Sequence, residues 1–191
     1  MGSPPRRTAS YADVLAAPEN LVAEVLDGEL HLSPRPAKPH AVASSALGEE
    51  LGPPFKRGRG GPGGWVMLDG PELHLAKDIM VPDLAGWRIE RMPAITNELP
   101  YFDLAPDWAC EVLSTSTRKM DKTLKVPKYA AAGVGHVWLV DPIDRTLEVL
   151  RLVADGNYLL VGTHADDAKV RAEPFDAIEL ELSILWAGVV L

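Results

Sequence analysis

The chain has 191 residues, a formal net charge of −8, 47% hydrophobic residues and 24% charged residues, proportions that suit one ordinary globular domain and exclude disordered or fibrous classes. No apolar run is long enough to cross a bilayer, since the most apolar stretch, 134–140, is broken by Gly135 and His136 and has strand length. The single cysteine, Cys110, excludes an internal disulfide and a multi-thiolate metal site and agrees with a reducing, cytoplasmic setting, while the acidic balance counts against a broadly basic surface but not against a local basic groove.

Residues 1–9 carry Arg6 and Arg7 with no apolar segment behind them, so they are expected to form a disordered leader and not a secretory signal. Residues 10–191 are expected to form a single domain. Ser10 is placed to cap a short helix over 11–17 that ends before Pro18. Asp27-Gly28 between the alternating runs 21–26 and 29–32 predicts a type I′ hairpin, which pairs Leu26 with Glu29 and sets Glu24 opposite His31. Residues 40–51 read as a helix stopped by Gly52-Pro53-Pro54.

The glycine-rich stretch 56–64 reads as a flexible loop whose Lys56, Arg57 and Arg59 either touch a phosphate backbone or belong to a solvated linker. Its Gly58-x-Gly60-x-x-Gly63 matches a dinucleotide fingerprint in letters only, because no clear strand precedes it and no helix follows. Residues 65–68 and 73–75 read as a second hairpin about Asp69-Gly70, and 79–89 as one strand with a bulge or an edge at Pro82. A proline-punctuated loop follows over 92–106, then a buried strand over 108–113. Ser114–Thr117 opens a helix running to about Ala132 and closed by Gly133, within which Pro127 predicts a kink. Strands at 137–140, 147–152 and 158–161 complete a mixed sheet with helices on its faces, an α/β or α+β class. The five tryptophans fall mostly in strand-like runs and are expected in the core.

Two carboxylates stand out from this pattern. Asp83 and Glu111 have apolar neighbours on both alternation faces, as central strands do. An ionised carboxylate there costs several kcal/mol or more unless it is paired or binds a metal. Converging on one point, the two would make a hard-oxygen site suited to magnesium or manganese; a buried salt bridge or a strand-end position explains either one alone. Asp121, Lys125 and Tyr129 recur every four residues and share a helix face. Packed back on the preceding strand, that face carries Lys125 towards the carboxylates; left in solvent, it is a surface ion pair. Cys110 alternates with Glu111 and so points to the opposite face. No histidine spacing suits zinc and no G-x-S-x-G element occurs.

The succession Val81-Pro-Asp83, Glu111-Val-Leu-Ser114, Asp121-x-x-x-Lys125-x-x-x-Tyr129, Ala132-Gly-Val134 and Trp138-Leu-Val-Asp-Pro142 resembles the Uma-type family of restriction endonucleases. That family is a bacterial branch of the PD-(D/E)XK nuclease superfamily. The resemblance runs from Tyr11 to about Trp186. It implies a restriction-endonuclease-like mixed sheet flanked by helices, with Asp83 and Glu111 as metal ligands. Leu113 stands where the superfamily's lysine is usual, and Lys125 matches the position to which this branch has moved it. Glu24, in Glu-Val-Leu-Asp-Gly, matches a third acidic residue, and His40 a recurring histidine that orients a ligand. Residue patterning alone leaves Glu24 equally readable as a hairpin-surface glutamate and His40 as helix N-terminal packing. Thr115 departs from the family, where proline is common.

These readings lead to an expected magnesium- or manganese-dependent endonuclease acting on DNA, with Asp83, Glu111 and Lys125 as its centre. Glu24 would join Asp83 and Glu111 in holding the metal, Asp121, Tyr129 and His40 would support the centre, and relatives imply a homodimer. The alternatives are a catalytically inactive binding module on the same fold and a hydrolase of another phosphate ester.

Overall fold

The structure is a computed structural model and describes residues 7–96 and 98–190. Its first hairpin follows from turn chemistry. Strands β1 (Leu21–Leu26) and β2 (Glu29–Pro34) pair antiparallel with Leu26 opposite Glu29 and Glu24 opposite His31, as expected. Asp27 and Gly28 both take positive φ, 52° and 77°, the conformation a type I′ turn needs. The short helix α1 (Tyr11–Leu15) precedes it, with the Ser10 N–H donating to Asp13 Oδ2 at 2.8 Å. Of the expected leader, residues 1–6 lie outside the described residues. Ala9 is tied to the hairpin turn, its N–H donating to the Gly28 carbonyl at 2.7 Å.

Helix α2 (Lys38–Leu51) buries Ala43, Leu47 and Leu51. It does not stop at Gly52-Pro53-Pro54 as expected but continues as a π turn over Gly52–Lys56. Two prolines withhold N–H donors from the ladder, and the wider turn absorbs them. The stretch after it is held in place and does not hang free. The N–H groups of Arg59 and Gly63 donate to the carbonyls of Pro53 and Pro54, each at 2.8 Å.

The expected second hairpin does not form. Strand β3 (Trp65–Asp69) joins a six-stranded sheet, whereas β4 (Leu73–Leu75) joins a four-stranded one. Nor is 79–89 one strand. It divides into β5 (Asp78–Met80) in the smaller sheet and β6 (Leu84–Arg88) in the larger. Pro82 has no N–H to give to a ladder, so the chain crosses between sheets at Val81-Pro82-Asp83. The smaller sheet runs β2-β1-β5-β4, antiparallel throughout.

Strand β7 (Trp108–Val112) is buried along its whole length. It pairs antiparallel with β6 and parallel with β8 (His136–Asp141). A parallel pair needs a crossover, and residues 118–131 supply it as α3 (Arg118–Met120), a π turn (Asp121–Lys125) and α4 (Val126–Ala131). The expected single helix therefore holds a π turn directly before Pro127, whose ring would clash with a tight preceding turn. Strands β9 (Thr146–Leu152) and β10 (Tyr158–Ala165) complete the order β10-β9-β8-β7-β6-β3. A small ribbon, β11 (Lys169–Val170) with β12 (Leu180–Glu181), and a 3-10 turn over Leu182–Trp186 close the described fold.

The large sheet is covered on both faces. Trp108, Cys110, Val112, Trp138 and Val140 pack with α2 and the C-terminal segment. Ala109, Leu113, Val137 and Leu139 pack with Tyr129 of α4 and with Met80 and Leu73 of the smaller sheet. All five tryptophans are buried, as expected. Gly86 permits part of this packing, since a Cβ there would lie 3.1 Å from the Trp65 ring and 3.3 Å from the Trp108 ring. No helix among the described residues is long and apolar enough to cross a membrane.

Candidate active site

Alternation on β7 sends Cys110 to the tryptophan face and Glu111 to the other, where Tyr129 lies. Tyr129 donates its hydroxyl to Glu111 Oε1 at 2.5 Å. The Lys125 ammonium approaches the same oxygen at 2.8 Å and Glu24 Oε1 at 2.9 Å, with Asp121 Oδ1 at 3.8 Å. It also donates to the Val81 carbonyl at 3.1 Å. Lys125 is only 2% exposed and Glu24 and Glu111 are each 2% exposed, so Lys125 sits in a buried ionic knot and not on a solvated face. Glu24 is likewise no hairpin-surface residue.

Asp83 differs from its expected place. It lies in the bend between β5 and β6, outside any strand, and its side chain keeps 21% exposure. Its Oδ2 accepts the Val112 N–H at 2.7 Å, which fastens Asp83 beside Glu111. Its Oδ1 lies 3.0 Å from His40 Nε2. His40 Nδ1 is buried with no hydrogen-bond partner among the described residues. His40, from α2, thus stands directly against Asp83.

Glu24, His40, Asp83, Glu111, Asp121 and Lys125 all line one cleft of about 1080 Å³. Tyr129 stands behind them. The crossing segment at Val81 is the element that sequence reading overlooked: its N–H holds Glu24 Oε1 at 2.8 Å while its carbonyl holds Lys125. Pro82 was the available signal, because a broken ladder leaves backbone groups free to bind side chains. Arg118 likewise went unnoticed. It pairs with the buried Asp141 and with Asp144, pinning the start of α3 to the end of β8.

The electrostatics follow from one cation facing three carboxylates in a desolvated place, with Asp83 nearby. Burial pushes the Glu111 carboxyl well above the usual carboxylate range; Lys125 opposes this, and Asp121, Asp83 and Glu24 reinforce it. Burial likewise raises Asp121 to about 6 against the pull of Lys125. For Lys125 burial acts downward, but Glu111, Glu24 and Asp121 outweigh it and keep the ammonium protonated. Tyr129 is raised by burial and by Glu111, so it remains a donor.

This acidic excess and the all-oxygen donor set fit a hard divalent cation. Among the described residues no three Asp, Glu, His or Cys side chains are arranged to hold an ion together. Asp83, Glu111 and Glu24 are the carboxylates that could take part in holding one, the two glutamates both lying against Lys125.

Residues 10–184 match the model of a family described as "putative restriction endonuclease". Among solved structures, the chain is similar to "a putative nuclease belonging to DUF820" from Anabaena variabilis, with a TM-score of 0.74 at 22% identity over 94% of this chain and 98% of that one. At this identity the likeness speaks for the fold, and it agrees with the expected mixed α+β architecture. No functionally curated protein matches.

Proposed function

The chain belongs to the Uma2 family of restriction-endonuclease-type proteins, and on that premise we propose that it hydrolyses phosphodiester bonds of DNA with the aid of a magnesium or manganese ion. The observation that carries the reading is the placement of Lys125, a fully buried ammonium fixed between Glu24 and Glu111 in the wall of a cleft that also presents Asp83. A structural ion pair needs one carboxylate and no cleft.

Asp83 and Glu111 would hold the ion, which when bound supplies Lewis-acid polarisation of the phosphodiester. Every other part comes from the protein's own side chains. Lys125 is held protonated by its carboxylates, so its positive charge would offset negative charge growing on the phosphate while its N–H groups fix Glu111 and Glu24 in place. Glu24 and the Val81 carbonyl fix where that ammonium stands. Tyr129 restrains Glu111 from behind, and His40 restrains Asp83. Asp121 adds to the field that keeps Lys125 charged. A homodimer is carried by the family resemblance alone and a cytoplasmic setting by the single cysteine, Cys110, and sedimentation velocity tests the first.

The experiment is cleavage of supercoiled plasmid and of single-stranded DNA with magnesium or manganese, comparing the wild type with Asp83→Ala and Lys125→Ala. Metal-dependent cutting lost in both variants is expected. A folded wild type that cuts neither substrate and binds neither metal would sink the proposal.

A further inference from the structure

Half of the lysines and arginines among the described residues carry a carboxylate partner. Arg91, Arg118, Lys122, Lys128, Arg151 and Lys169 are all so paired. Those without one are Arg88, Lys119, Arg145, Arg171 and the five cations gathered at the two ends of α2. Arg35 and Lys38 stand at its start and Lys56, Arg57 and Arg59 at its end, all exposed and none with a carboxylate partner among the described residues. Arg35 donates to the Glu19 carbonyl and Lys56 to the Met67 carbonyl, bonds that steady the side chains without neutralising them. Arg35, Lys56 and Arg57 line the same cleft as the acidic centre. The wall between them is made of Ala41, Ser44, Ser45 and Gly48 of α2, small side chains that let a backbone come close.

We infer that α2 is the track on which the phosphate backbone of duplex DNA lies, with Arg35 and Lys38 gripping one end and Lys56, Arg57 and Arg59 the other. The inference rests on the nuclease reading and adds the surface that holds the substrate. Charge complementarity selects a polyanion, because unpaired cations gain most from displacing the counterions of a phosphate chain. Duplex is favoured over single strand because no Phe, Tyr or Trp lines the cleft. Unpaired bases would want such stacking platforms, whereas the bases of a duplex are already stacked on one another and leave the phosphate backbone for these cations to grip. From Lys38 to Lys56 the helix rises about 27 Å, which corresponds to about 8 base pairs along one strand. Glu49 lies on the same wall, hydrogen-bonded to Ser45, and opposes the phosphates.

The test is fluorescence anisotropy of a labelled 20-base-pair duplex with the full chain, calcium replacing magnesium to hold cleavage off, across a range of salt. Arg35→Ala, Lys38→Ala and Arg57→Ala should each weaken binding alike for unrelated sequences and lower the salt slope by about one. Glu49→Gln should tighten binding, a gain that a misfolded variant cannot imitate. Lys169→Ala, on the β11–β12 ribbon, should change nothing. Wild-type binding that ignores the three cation variants and Glu49→Gln overturns the track while the plasmid assay still judges the nuclease reading. Tighter binding of a single strand than of the duplex overturns the choice of duplex, and no binding of either overturns the track together with its premise.

Discussion

Lys125 and Tyr129, on either side of Pro127, deliver their polar ends to the same oxygen, Glu111 Oε1, at 2.8 and 2.5 Å. An α-helical spacing of four sets both on one face, and the π turn over Asp121–Lys125 shifts the lysine relative to the tyrosine. The carboxylate is thereby restrained by a neutral donor and a cation at once, which leaves little freedom in where it points.

Removing the cation should be costly. Lys125→Met keeps the volume but strands Glu24 and Glu111 in a buried place without counter-charge. A loss of about 3–5 kcal/mol in urea unfolding is expected, together with loss of cleavage. Adding Glu24→Gln should restore part of the stability and none of the activity. A Lys125→Met protein as stable as the wild type would show that the ion pairs do not bind as described.

Tyr129→Phe removes one hydrogen bond to a buried carboxylate and little else. A cost of about 1–3 kcal/mol is expected, with a lowered kcat and an unchanged KM for DNA, because Tyr129 stands behind the site and touches no substrate. A change confined to KM would contradict that placement.

Asp83→Asn should leave the fold standing, since Asp83 is partly exposed and an amide oxygen can still accept the Val112 N–H. Binding of manganese, followed by titration calorimetry, should nevertheless be lost. Undiminished binding would remove Asp83 from the ligand set.

The raised Asp121 carboxyl makes stability depend on pH. Its value of about 6 in the folded protein lies above the ordinary 3.8, so the folded state keeps a proton that the unfolded state gives up. This contribution is fully present below pH 4 and is lost as pH rises through 6. In chelator, thermal stability should therefore fall over that interval by on the order of 2–3 kcal/mol. Asp121→Asn should remove this part of the fall and leave the part owed to the raised Glu111. A profile identical to the wild type would assign the dependence to another group.

The segment after α2 offers a test of packing. A Cβ on Gly61 would come within 2.4 Å of the Pro54 Cβ, and no mobile loop would feel such a contact. Gly61→Ala should cost about 1–3 kcal/mol by overpacking, read as a lower urea midpoint with an unchanged slope. An indifferent midpoint would mean that the loop moves aside.

Short-range chemistry was legible in the residues themselves. Asp27-Gly28 between alternating runs determined the first hairpin and its register, because only that turn type matches strand twist at a two-residue loop. The run Trp108–Val112 announced a buried strand. The spacing of Asp121, Lys125 and Tyr129 determined a shared face, and the order of motifs pointed to the nuclease family. What the tertiary structure alone decided was partnership. Asp69-Gly70 looked like a hairpin turn, yet its flanking strands entered different sheets, since strand pairing is chosen by long-range packing of Trp65 and Trp87 and not by the turn. Pro82 marked a break without saying that two sheets meet there. That meeting brings Glu24 from one sheet and Glu111 from the other to a single ammonium, at a point where the free backbone groups of Val81 can bind both the acid and the base.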